Sequence, residues 1–279
     1  MVASVFDGDR EFHYTRSDFE RVRQRIYQSA GISLSDSKAD LVYSRLARRL
    51  RQTGHRRFAD YLAALDQDAD EQREFINALT TNLTSFFREA HHFDQLADFL
   101  AQRRTPIRIW CGAASTGEEP YSLAITAVEA FDSLTPPVTI LATDLDTQVL
   151  AVGQRGVYPI ERVERLSPER RHRFFLKGKG RNDGLVKVHP ALQSLLHFRQ
   201  LNLLASPWPI KQRFDAIFLR NVLIYFDKPT QAQVLGRCAQ VLEPDGLLFV
   251  GHSESLNHVS DLFKPLGRTV YRPQPRTAT

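Results

Sequence analysis

Residues 107–121 run Ile-Arg-Ile-Trp-Cys-Gly-Ala-Ala-Ser-Thr-Gly-Glu-Glu-Pro-Tyr, and the next apolar run, starting at Val138, closes on Asp144. This is a strand, a tight loop of small residues, a helix start, and an acid at the tip of a second strand. The alternation continues. Candidate strands at 107–110, 138–143, 197–202, 214–219 and 246–251, with a late edge strand at 269–272, enclose helices at about 118–131, 147–154 and 230–242. Strands that alternate with helices predict an α/β fold, a doubly wound, mostly parallel Rossmann-like sheet with helices on both faces. One stretch departs from the pattern. Gly-rich Lys177–Gly184 and the β-type runs Leu185-Val-Lys-Val and Leu195-Leu-His-Phe give a hairpin-like insert over 177–198, and a small β subdomain is placed at about 170–196.

Before Pro106 the periodicity is helical. Ser17 and Glu20 read as a capping box, followed by Phe19, Val22 and Ile26 at helical spacing and a stop at Gly31. A second helix, about Ser37 to Gln52, carries Val42, Leu46 and Leu50, with Gly54 after its end. A third carries Phe58, Tyr61, Leu62 and Leu65, and a fourth begins near Asp70 and carries Phe75, Leu79 and Leu83. The expected organisation is a small all-α N-terminal domain (1–75), a linker that contributes to the site (76–105), and the α/β domain (106–279).

Charge divides the chain in the same way. The net charge is +5, yet residues 16–57 hold ten Arg and one Lys against Asp18, Glu20, Asp36 and Asp40, a local +7 that leaves −2 for the rest. Arg45, Arg48 and Arg49 share an arc of the second helix. That arc is either a solvated basic face or a surface that meets an acidic partner. Two cysteines exclude a disulfide framework or a cysteine zinc site, and the nine His show no ligand spacing, so no metal is expected. No apolar run approaches the roughly 20 residues of a membrane span, and the N-terminus has no signal pattern. A cytoplasmic protein is expected.

The loop 111–117 lacks the Gly-x-Gly-x-x-Gly spacing of dinucleotide folds, and no Lys follows its glycine, so neither a pyrophosphate nor a Walker A site fits. Glu118 and Glu119 would repel an anion at that helix start and suit an amino group or a sulfonium. The same pair would also complement the helix N-terminus without any ligand. Asp144 reads as an acceptor for ribose hydroxyls, and Asp146 as an N-cap. An adenosine without phosphate, joined to a cation, describes S-adenosylmethionine. Arg220, Asn221 and Tyr225 follow a buried strand at the sheet end where ligands of such folds bind, although Tyr225 also reads as a core aromatic. Asn82, Thr84 and Arg88 lie in the linker, with Thr84 and Arg88 placed on one helix face by their spacing.

Six segments together resemble the CheR-type chemotaxis receptor methyltransferases over nearly the whole chain. They are Thr80-Thr-Asn-Leu-Thr-Ser-Phe-Phe-Arg-Glu89, Ala114-Ser-Thr-Gly-Glu-Glu-Pro-Tyr-Ser122, Ala142-Thr-Asp-Leu-Asp146, Asn202-Leu-Leu204, the run Phe214–Phe226, and Gly251-His-Ser-Glu-Ser255. The resemblance implies an S-adenosylmethionine-dependent O-methyltransferase that esterifies glutamates on the cytoplasmic helices of transmembrane chemoreceptors and releases S-adenosylhomocysteine. It implies that Asn82, Thr84, Arg88, Glu119 (with Glu118), Asp144, Asn202, Leu203, Arg220 and Asn221 line the cofactor site, with Arg88 and Tyr225 nearest the transferred methyl. It also implies that the β subdomain can dock the receptor's C-terminal tail, the loop 178–184 resembling the longer, tail-binding version. Arg45, Arg48 and Arg49 then gain a target in Glu-rich receptor helices.

A monomer that neither enters the membrane nor binds nucleic acid is expected. The basic residues cluster on one short helix without interleaved aromatics, against a nucleic-acid methyltransferase. A cofactor-binding receptor adaptor without turnover is the other reading; Arg88, Arg220 and Tyr225 argue against it.

Overall fold

The computed structural model describes residues 6, 10–103 and 106–274; the ends of the assigned domains fall outside the described residues. The chain divides into two units, one of residues up to Thr81 together with Tyr225–Asp227, the other of Asn82–Ile224 and Lys228 onward.

Among the described residues the first unit holds four α-helices: α1 (Arg16–Ala30), α2 (Ala39–Thr53), α3 (Phe58–Ala64) and α4 (Ala69–Leu79). Their apolar stripes, Phe19-Val22-Ile26, Val42-Leu46-Leu50, Phe58-Tyr61-Leu62 and Phe75-Leu79, are all buried and form its core. Two details differ from expectation. The capping box of α1 is Thr15 with Asp18, because the Asp18 amide donates to Thr15 Oγ1 (3.1 Å) and Asp18 Oδ2 takes the Thr15 amide (2.9 Å). Ser17 is already inside the helix, and Glu20 pairs with Arg16 and Arg23 instead. Leu83 is not part of α4: it is 79 % exposed, since the backbone turns extended at Thr80 and the Arg45 guanidinium caps the helix end at the carbonyls of Leu79 (2.9 Å) and Thr80 (2.6 Å). Tyr225–Asp227 complete this unit. The Ser33 amide donates to the Tyr225 carbonyl (2.8 Å) and the Tyr27 hydroxyl to Asp227 (2.9 Å).

The second unit opens with α5 (His91–Ala101) and continues with β1 (Ile107–Cys111), α6 (Glu118–Phe131), β2 (Val138–Asp144), α7 (Thr147–Arg155), β3 (Val157–Pro159), α8 (Pro168–Phe174), β4 (Phe175–Lys177), β5 (Leu185–Val188), α9 (Pro190–Gln193), β6 (Leu196–Gln200), β7 (Phe214–Phe218), α10 (Lys228–Val241), β8 (Leu242–Phe249), β9 (Phe263–Gly267) and β10 (Val270–Pro273). A seven-stranded sheet runs β6-β2-β1-β7-β8-β10-β9. Its first five strands are parallel, and the last two join antiparallel. The strand expected at the edge, β10, is therefore interior. The edge is β9, whose Pro265 and mostly exposed residues hide it from a pattern search and suit an edge position. The insert is an antiparallel sheet, β3-β5-β4, so it begins at Val157, upstream of the expected 170. The run Leu195–Phe198 mostly belongs to β6 of the main sheet.

Helix α6 explains how one sheet end becomes a site. Residues Glu118–Val128 are all buried, because β2 and β6 of the sheet and helices α5 and α9 all pack on it. Its start is fixed by Gly117 at φ +99°, where a Cβ would lie 2.7 Å from both the Gly153 Cα and the Tyr158 hydroxyl. This glycine serves close packing of α7 and the insert against the loop.

Candidate active site

At the carboxyl ends of β1 and β2 the loop folds back on the second strand. The Ser115 amide donates to Asp144 Oδ2 (2.8 Å) and the Asp146 amide to Asp144 Oδ1 (3.0 Å). Each carboxylate oxygen can accept a second bond, so room remains for ribose hydroxyls. Burial pushes the Asp144 carboxyl above its usual range, against the amides of Asp146 and Ser115. Asp146 caps α7 by accepting the Gln148 (2.8 Å) and Val149 (3.3 Å) amides, and Asn82 Nδ2 donates to its other oxygen (2.9 Å). The Ser115 hydroxyl donates to the Asn82 carbonyl (3.0 Å). Asn82 thus laces the segment before α5 onto the loop. Asn202 and Leu203 begin just past β6, where the Leu201 amide donates to the Asp144 carbonyl (3.0 Å).

The segment expected to place Thr84 and Arg88 on one helix face is not helical. It runs extended and then turns, with Phe87 (φ 52°) and Glu89 (φ 56°) left-handed. Ser115 (φ 48°) and Asn221 (φ 57°) share that conformation. Four non-glycine residues held this way in one neighbourhood cost on the order of 1–3 kcal/mol each, which is characteristic of functional sites.

An ion-pair network holds the turn. The Arg220 side chain is fully buried. Its Nη1 meets Glu119 Oε2 (2.7 Å), its Nη2 lies 3.3 Å from Glu89 Oε2 and donates to the Arg88 carbonyl. Glu89 also accepts from the His252 amide (3.1 Å) and Asn221 Nδ2 (3.3 Å), and its Oε1 lies 3.0 Å from His252 Nδ1. Burial alone would raise the Glu89 carboxyl, but His252, Arg220 and Asn221 bring it down to about 2. Glu254 accepts the amides of Gly251 (2.6 Å), Asn221 (2.9 Å) and Ile224 (3.2 Å), which fixes the turn after β7. Sequence reasoning assigned no role to Glu89, His252 or Glu254, although all three sit in the matched segments.

Both glutamates of the α6 start carry an arginine partner, which the sequence did not reveal. Glu119 shares Arg220 with Glu89, so two carboxylates face one guanidinium and the cluster keeps a net charge of −1. Glu118 is 1 % exposed; its Oε2 takes the Thr116 hydroxyl (2.6 Å), and its Oε1 lies 3.4 Å from Arg162 Nη1 with no hydrogen-bond partner among the described residues. An uncompensated acidic cluster, a buried carboxylate oxygen with open acceptor capacity and a ribose-compatible Asp144 fit a cationic adenosine ligand. Among the described residues no group of His, Cys, Asp or Glu is placed to hold a metal ion.

Profiles of known families match the two units. "CheR methyltransferase, all-alpha domain" covers residues 17–80, and "CheR methyltransferase, SAM binding domain" covers residues 82–272. The chain belongs to the CheR methyltransferase family. Chemotaxis protein methyltransferase 2 of Pseudomonas aeruginosa is 55 % identical over 269 residues, covering 95 % of this chain and 96 % of the relative. The chemotaxis protein methyltransferases of Klebsiella aerogenes and Escherichia coli are 50 % and 48 % identical, each over 255 residues and 91 % of this chain, and over 88 % and 89 % of their own lengths. As a CheR family member the chain carries a domain for S-adenosylmethionine, in agreement with the cationic, phosphate-free ligand that the site fits.

Of the remaining predicted residues, Tyr225, Arg45, Arg48 and Arg49 all fall with the helical unit. Arg45 spends its donors on the end of α4. Arg49 is paired with Glu71 (2.5 Å) and Glu74 (3.3 Å). Arg48 is exposed.

The network also sets a pH dependence. His92 is fully buried, with Nε2 3.0 Å from the Arg268 carbonyl. Burial and then the nearby Arg220 charge lower it from 6.5 to about 4. A proton therefore binds the unfolded chain more tightly, so the stability this neutral ring contributes is complete above pH 6.5 and is lost as pH falls through 4. Glu89 follows lower down, losing its contribution from 4.5 toward 2. Thermal unfolding from pH 7 to pH 4 is expected to show a falling midpoint, and His92→Gln is expected to flatten that fall.

Proposed function

We propose that this chain transfers a methyl group from S-adenosylmethionine to glutamate side chains of chemoreceptors, as part of chemotactic adaptation in the cytoplasm. The carrying observation is the Glu89–Arg220–Glu119 cluster at the start of α6, the helix whose preceding loop ties the Ser115 amide to Asp144; it suits a cationic adenosine donor, within a chain of this family. When bound, S-adenosylmethionine supplies an electrophilic methyl. Asp144 would accept ribose hydroxyls, Asn82, Asn202 and Leu203 would border the adenosine, and Glu118 and Glu119 would face the cationic part. Thr84, Arg220 and Asn221 would complete the lining.

The acceptor glutamate is ionised at neutral pH, with an unperturbed pKa of about 4.3, and needs no general base. Alignment and exclusion of water do the rest, with Arg88 holding the acceptor carboxylate. Methyl transfer from labelled S-adenosylmethionine to receptor-bearing membranes tests the reading. Incorporation into base-labile esters is expected, and binding of the donor without incorporation would leave an adaptor.

Receptor contact falls to the helical unit. Because Arg45 and Arg49 are engaged internally, Arg48 is the member of the expected face left for an acidic partner. Arg48→Glu is expected to slow receptor methylation several-fold at low salt, less at high salt, with donor affinity unchanged in calorimetry. The insert offers a second contact. Residues 155–187 hold ten basic side chains against four acidic ones, a charge suited to an acidic receptor tail, and the chain would act on it as a monomer.

A further inference from the structure

Arg162 belongs to the insert, in the short 3-10 turn Ile160–Arg162 that follows β3, and no role has yet been given to it. Its Nη1 lies 3.4 Å from Glu118 Oε1 and donates to the Thr84 carbonyl (3.3 Å). We propose that Arg162 is a positioning residue for the methyl donor: from the insert, it acts as counter-ion to Glu118 and braces Thr84 against the donor loop. This rests on the S-adenosylmethionine reading above.

Glu118 is nearly inaccessible, and a carboxylate so placed is costly to keep ionised without a nearby cation. Arg220 is committed to Glu119 and Glu89, so Arg162 supplies that charge. The insert grips the same walls at other points. The Tyr158 hydroxyl donates to the Thr116 carbonyl (2.7 Å), and the Phe86 ring packs edge-on against Tyr158 (5.4 Å) and Phe175 (5.3 Å). Tyr158, Arg162 and Phe175 thus hold residues 84–86 on one side and 116–118 on the other. Among these three, Arg162 alone is charged, and its side chain is 48 % exposed, so replacing it opens no core cavity.

The test is calorimetry of S-adenosylmethionine binding to the full chain and its R162M, R162K, E118Q and R162M/E118Q variants, beside steady-state methylation. R162M is expected to weaken donor binding roughly tenfold, the scale of leaving a buried polar group without its partner, and to raise the donor KM. R162K retains the charge and is expected to recover most of the affinity. Because the larger part of Arg162's action passes through Glu118, R162M/E118Q is expected to bind only slightly more weakly than E118Q alone, the remainder being the brace on Thr84. Wild-type affinity in R162M, or additive losses in the double variant, would overturn the assignment. A wild-type chain that fails to bind S-adenosylmethionine would overturn the donor reading itself.

Discussion

Arg220→Met is expected to destabilise the methyltransferase unit by about 3–5 kcal/mol, the usual cost of removing one partner from a buried ion pair. The guanidinium is fully inaccessible, and it faces two carboxylates that are each 11 % exposed. Methionine fills much of the volume and leaves Glu89 and Glu119 with little solvent and without their guanidinium. The Arg88 carbonyl loses its donor as well. Urea unfolding should show a lower midpoint at unchanged slope. Donor affinity should fall with it, because the left-handed turn at Glu89 and Asn221 is held by the same contacts. Adding Glu119→Gln should return part of the loss, since one of the stranded charges is then gone. A change below 1 kcal/mol in the single variant would show that solvent or rearrangement neutralises the pair.

The legibility of this chain follows from how far a signal reaches along it. Strands β1, β2 and β7 and helix α6 were readable because each is a largely apolar run next to a glycine, an acid or a polar cluster. Asp144, Glu119 and Arg220 stand out in the sequence because each is a charged residue at the border of such a run. Glu89 was not, because its partners Asn221 and His252 lie 132 and 163 residues away and no local pattern announces a buried ion pair. The error at Thr84 and Arg88 has a similar cause. Phe87 and Glu89 adopt left-handed backbone without the Gly or Asn that ordinarily signals it. Arg45 and Arg49 looked like an outward face because charge periodicity does not show that α4 supplies both a bare helix end and two glutamates to receive them.

Arg88→Ala is expected to lower kcat/KM for methyl transfer by roughly 100- to 1000-fold, the range seen when one preorganised charge-stabilising donor is removed, with donor affinity changed less than about threefold. The two roles of this residue are separable. Its backbone carbonyl, which anchors Arg220, survives in alanine. Its side chain, half-buried and turned to the Leu83 carbonyl (3.0 Å), is what the substitution removes. Lysine keeps the charge without the planar fork and should recover a fraction of the rate. Calorimetry beside a radiolabelled-methyl assay reads both quantities, and equal losses in the two would remove Arg88 from the acceptor-holding role.

The helical unit is finished by three residues, Tyr225–Asp227, that the ribosome makes nearly 150 residues after Thr81. Chains usually fold domain by domain from the N-terminus as they emerge. Here the partners of Tyr27 and Ser33 do not exist until most of the methyltransferase sheet has been synthesised. Those contacts can close only late in translation. A chain cut anywhere between Thr81 and Tyr225 leaves the N-terminal helices without them.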